Sequence, residues 1–196
     1  MPDYGFNFRA TSGFVVDGAN ETYSLGAVYP ETRNGITFGW STSMASGARD
    51  RVNTFDQRIA GNVQQDNSAG VQSTFQVDLP APGDYLIRLA LGDTSSQFFM
   101  CVEVRDGSTA YITLFGIVNG GSTWADTTGT LYSDANWPSL NAPTTITFVG
   151  TTLNLVLGSS SPQSNSSPIA HLFVSTTAEP APIRSRKLST QQRMVA

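Results

Sequence analysis

Short segments in which apolar side chains recur at every second residue, each closed by a turn signal, constrain this chain more than any other feature. TFQVDL sets Phe75, Val77 and Leu79 on one face, and DYLIRLAL continues with Tyr85, Ile87, Leu89 and Leu91. TTITFVG adds Ile146 and Phe148, TLNLVLG adds Leu153, Leu155 and Leu157, and AHLFVS closes the series. A period of two is the pattern of a half-buried β-strand. PAPGD at 80–84, RDGS at 105–108, VNGG at 118–121 and SSSPQSNSSP at 159–168 punctuate it with the residues that tight turns demand. Helical periodicity never persists beyond about two turns. Eight to ten such strands predict an all-β, antiparallel sandwich, because a single sheet would leave one apolar face in water.

With 196 residues the chain can bury a core without disulfide or metal staples. Its one cysteine, Cys101, leaves no intrachain disulfide, and its place in FFMCVEVR reads as a buried strand thiol. No apolar run reaches the roughly 20 residues of a membrane span, and MPDYGFNFRATSGF has neither the basic start nor the apolar block of a secretory signal. Charge divides the chain in two. Residues 1–178 carry 7 Arg against 14 Asp plus Glu, net −7, whereas residues 179–196 carry net +3. The reading is therefore a sandwich domain over 1–178 and an extended basic arm over 179–196, with Arg184, Arg186, Lys187 and Arg193 as docking residues. An acidic body gives no footprint for nucleic acid.

The densest charge lies in GARDRVNTFDQRIAG. Arg49, Asp50, Arg51, Asp56 and Arg58 are five of the 26 charged residues, within ten positions. Arginine forks hold carboxylates in two places at once, so these five read as a structural clamp on a loop, with Arg51 to Asp56 or Asp50 to Arg58 as natural pairs. The competing reading is a ligand site. Calcium on Asp17 or Asp50 is a further option, but no D-x-D-x-D-G loop supports it, and no cofactor is expected.

Catalytic patterns are missing from the sequence: it has no G-x-S-x-G elbow, P-loop or H-E-x-x-H, and its one histidine, His171, lies in a strand pattern. A paired-carboxylate site would have to gather Asp50, Asp56, Glu21 and Glu31 in space. The expectation is a protein that is not an enzyme. Binding residues are sought in the long polar stretch 121–143, where Trp124, Tyr132 and Trp137 are candidates for stacking on a sugar or anchoring an interface. Trp40 reads as core.

The order FNFRA, ITFGW, RDR, VDLPAPGDYLIRLALGD and a final apolar strand resembles the galactose-binding-like (malectin-like) β-sandwiches over roughly residues 5–175. Such modules accompany polysaccharide-degrading enzymes, rhamnogalacturonan acetylesterases among them, and similar stand-alone domains are encoded by tailed bacteriophages. The resemblance implies a jelly-roll topology and glycan binding, and LGDTS at 91–95 reads as a strand end, not as the acetylesterase nucleophile block. Together with the sparsely charged, Ser/Thr-rich body and basic arm, it gives the leading expectation: a virion surface or decoration-type protein, made in the host cytoplasm and docked on a capsid or tail, with homo-oligomer and glycan contacts open. The alternative is a free, extracellular carbohydrate-binding module.

Overall fold

The computed structural model describes residues 4–10, 21–23, 28–51, 57–94, 98–119, 122–137 and 143–176. The strands are β1 (Tyr4–Asn7), β2 (Glu21–Tyr23), β3 (Glu31–Arg33), β4 (Ile36–Trp40), β5 (Ala48–Asp50), β6 (Gly61–Asp66), β7 (Ser73–Asp78) and β8 (Gly83–Asp93). They continue as β9 (Phe98–Asp106), β10 (Thr109–Asn119), β11 (Thr123–Ala125), β12 (Leu131–Ser133), β13 (Thr144–Phe148), β14 (Thr152–Leu157), β15 (Ser166–Ile169) and β16 (His171–Thr176). Among the described residues the only helical pieces are single 3-10 turns, at Ala45–Gly47, Gln57–Ile59 and Asp134–Asn136, and none could cross a membrane as a helix. The chain is all-β, as its alternation predicts, but with more and shorter strands than the eight to ten expected.

Two sheets face each other. The smaller runs β12-β11-β8-β16-β1-β2, with β13 also on β8; the larger runs β3-β4-β7-β14-β9-β15-β6-β5, with β10 also on β9. Because β16 covers β8 from Tyr85 to Ala90, β13 and β11 divide its other edge. In the larger sheet β10 follows β9 from Phe98 to Asp106, so β14 and β15 divide the remaining edge.

The core forms where the inner faces meet, and its centre is aromatic. Phe6 and Phe8 of β1 and its exit lie across from Phe38 and Trp40 of β4 and Phe75 of β7, with ring centroids 5.0–5.6 Å apart for the pairs that bridge the two sheets. Steep interplanar angles set ring edges against ring faces, the arrangement that aromatic quadrupoles favour. All five rings are fully buried, each contributing roughly 1.5–3 kcal/mol in apolar transfer. FNFRA, ITFGW and TFQVDL therefore supply one packed seam. Beside the seam, Gly39 lets the Val28–Tyr29 backbone lie against β4: at φ +150° a Cβ there would collide with the backbone nitrogen of Tyr29, whose N–H donates to the Trp40 carbonyl.

Candidate functional site

The charged stretch at 49–58 meets the other sheet. Arg51, just past β5, donates from Nε to Asp93 Oδ1 at 2.7 Å and from Nη2 to Oδ2 at 2.8 Å. Asp93 ends β8, so this fork ties the larger sheet to the smaller. Gln64 of β6 adds Nε2 to Asp93 Oδ2 at 2.5 Å. Asp93 is 1% exposed and Arg51 21%; the hydrogen bonds to Asp93 raise Arg51 above its ordinary pKa against the opposing push of burial. A second tie joins Arg9, after β1, to Asp50 of β5 at 3.3 Å, and Asp50 also accepts from the Ala10 amide. Arg51 and Asp50 thus each have a partner about forty residues away in the chain. Asp56 lies outside the described residues, as do Asp17 and the arm residues Arg184, Arg186, Lys187 and Arg193.

Arg49 does something different. Its Nη1 donates to the carbonyls of Ser46 and Ala48 at 2.7 and 2.8 Å, which fixes the guanidinium on the wall of a cleft of about 540 Å³ that Gln64, Gln65, Asp66, Asn165 and Ser166 also line. Much of the wall is hydrogen-bonded. Gln64 is held by Asp93 at one end and accepts from Ser166 Oγ at 3.0 Å at the other. Gln65 accepts from Ser73 Oγ and donates to the Asp66 carbonyl. Asp66 accepts from the Ser68 amide, which holds its carboxyl below the usual range. The buried Arg51–Asp93 tie therefore continues, through Gln64, into an open polar surface.

The aromatic candidates fare unevenly. Trp124 is fully buried, and the expectation that it offers a stacking face is overturned. It sits on β11 opposite Gly92 of β8, where a Cβ would strike the Thr123 carbonyl and lie 2.9 Å from the indole, so the ring lies against a strand that has no side chain there. With Ile59, Ala90 and Ala170 it forms a small second core, against which Trp137 packs. Trp137 and Tyr132 are half-buried and meet edge to face at 5.8 Å. Tyr132 donates to Asp126 at 3.2 Å, and the same aspartate accepts from the Thr128 and Thr130 amides in the turn joining β11 to β12. Trp137 thus covers the small second core, with Tyr132 against its ring. Trp137→Ala should remain folded and lose about 1 kcal/mol or somewhat more with its edge-to-face contact; chemical denaturation beside the far-ultraviolet spectrum would show it.

His171 is buried on β16, in register with Asn7 of β1 and Ala90 of β8, on the face turned away from the main core. Neither imidazole nitrogen has a hydrogen-bond partner, nor do the side-chain atoms of Asn7. Burial, then the charges of Arg58 and Arg88, lower its pKa to about 3, so the ring is neutral. Cys101 is buried as well, and burial pushes its thiol up. Of the carboxylates suggested for glycosidase chemistry, Asp56 and the Glu21 side chain lie outside the described residues, and Asp50 and Glu31 do not converge. Asp50 and Glu31 occupy β5 and β3, the opposite edges of the larger sheet, and each is paired with an arginine. No group of three His, Cys, Asp or Glu suited to a metal occurs among the described residues.

No protein-family model, curated protein or solved structure matches the chain.

Proposed function

We propose that this chain is a non-enzymatic structural protein of the virion-surface type, a jelly-roll sandwich of galactose-binding-like kind that packs beside a second copy of itself and is moored to a shell by its basic arm. The observation that carries this reading is an apolar ridge on the outer face of the larger sheet. Phe115 and Val118 of β10 are 60% and 58% exposed; they stand opposite Cys101 and Phe99 of β9, and Phe99 meets Phe115 edge to face at 5.4 Å. Exposed apolar groups gathered in this way mark interaction surfaces.

A second copy suits the ridge because the same face is self-complementary in charge. Glu103 and Arg105 alternate along β9 and pair with each other, so a two-fold axis can set each beside its opposite. Register shifts at Ala110/Ile112 and Phe115/Ile117 interrupt β10, and a bulged edge resists open-ended strand addition. The contact therefore rests on side chains, and it closes at two. Sedimentation should find a dimer that Phe115→Ser converts to monomer without a change in secondary structure. A wild-type chain that stays monomeric at about 1 mM, weaker than any specific contact of use, removes the ridge from the proposal. Loss of residues 179–196 should weaken particle attachment, and raising salt should weaken that of the full chain, because exposed charges are screened.

The polar cleft favours a second reading, the carbohydrate-binding module. The two are compatible in one virion protein that also grips a surface glycan.

A further inference from the structure

We propose that the cleft between the Ala45–Gly47 turn, β6 and the start of β15 binds a neutral polyhydroxylated ligand, such as a terminal sugar residue of a glycan. This rests on the carbohydrate-binding reading and is independent of the ridge. The cleft's volume of about 540 Å³ lies within the range of small-molecule sites. Its chemistry selects the ligand class. Arg49 and Asp66 contribute one charge of each sign, and the amides of Gln64, Gln65 and Asn165 with the Ser166 hydroxyl offer donors and acceptors together. A sugar hydroxyl also donates and accepts, so a vicinal diol can accept from the guanidinium and donate to the carboxylate. An anion would meet Asp66, a cation would meet Arg49, and an apolar ligand would strip water from amides without replacing it.

The wall is also fixed before any ligand arrives. Gln64 is pinned at both ends of its amide, Gln65 likewise, and Arg49 by two carbonyls through one nitrogen. Each retains bonding capacity: an amide NH₂ has a second hydrogen, an amide oxygen a second lone pair, and the guanidinium its remaining N–H groups. Side chains already ordered lose little entropy on binding. Asp93 thereby acts on the cleft as a positioning residue, through Gln64.

The test uses the full chain labelled with nitrogen-15, titrated separately with methyl β-D-galactopyranoside, methyl α-L-rhamnopyranoside, D-glucose and sodium sulfate. The side-chain amide signals of Gln64, Gln65 and Asn165 are the readout, and a glycan array is probed in parallel. At least one sugar should move these signals saturably. Arg49→Ala and the near-isosteric Asp66→Asn should each weaken that binding about tenfold, the loss of one charge-assisted hydrogen bond, without altering the unfolding midpoint by more than a small amount. Shifts with sulfate alone would make this an anion site and overturn the proposal. Sugar or array binding that Arg49→Ala and Asp66→Asn leave intact would overturn the cleft while sparing the carbohydrate-binding reading. Absence of binding to all sugars and to the array would overturn both.

Discussion

Arg51→Ala should lower the stability of the fold by roughly 3–5 kcal/mol, the cost of stripping a buried carboxylate of its cation. Asp93 is 1% exposed and cannot turn to water when the guanidinium is removed; Gln64, a neutral donor, is a weaker substitute. Asp93→Ala should cost less, because Arg51 is 21% exposed and its long stem can carry the charge into solvent. Asp50→Ala should also cost less than Arg51→Ala: it leaves Arg9, 11% exposed, without this carboxylate, but the pair is longer, at 3.3 Å, and opens to solvent on the Asp50 side, which is 35% exposed. Urea unfolding of the three variants gives the order directly. A larger loss for Asp50→Ala than for Arg51→Ala would mean that the inter-sheet tie is not where the geometry puts it. The double variant Arg51→Met with Asp93→Leu separates pairing from packing: it should recover much of the loss, because replacing both charges with apolar groups removes the desolvation cost as well as the attraction.

The strands that carry the main core were legible because a half-buried strand writes its burial into every second residue. Phe75 and Val77, Tyr85 to Leu91, and Leu153 to Leu157 all lie in the core as their alternation requires. β10 went unread for the opposite reason. Its two register shifts put Leu114 and Ile117 three apart yet both toward the core, and a bulge destroys the period that identifies a strand. β11 and β12 are three residues each in a polar stretch, and they are organised by the Asp126 turn rather than by a run of apolar side chains.

The partner of Arg51 was hidden by distance, since sequence proximity nominated Asp56 and the fold supplies Asp93. One signal pointed to it. Extending the inward parity of Leu89 and Leu91 by two residues lands on Asp93, and an aspartate at an inward position needs a cation or several donors. Trp124 misled because a tryptophan among Ser, Thr and Asp looks exposed; the informative residue was Gly92, which leaves room for the indole on the neighbouring strand. The consecutive side chains of Arg49, Asp50 and Arg51 fan out to three destinations: a cleft wall, Arg9 and Asp93.

His171 should make the stability of this protein depend on pH over a window where most histidines contribute little. Its pKa falls from the ordinary 6.5 to about 3 in the folded chain, while the unfolded chain titrates near the ordinary value. Between these limits the unfolded state binds a proton that the folded state refuses, so stability is complete above about pH 6.5 and falls as the pH drops toward 3. Each pH unit well inside the window costs about 1.4 kcal/mol, or on the order of 3 kcal/mol between pH 7 and pH 4.5 with burial of this depth. The charges that bear on the ring are Arg58 from the Gln57–Ile59 turn and Arg88 from β8, and the in-register Asn7 is neutral. Carboxylates elsewhere do titrate at the acid end, so the quantity to measure is a difference between two proteins. His171→Leu removes the titrating group and two unpartnered nitrogens and places an apolar side chain beside Ala90. Urea midpoints of wild type and variant should lie close together at pH 7 and diverge steadily on acidification, the variant becoming the more stable. Parallel curves from pH 7 to pH 4.5 would show that the ring reaches solvent or a partner and is not held neutral by burial.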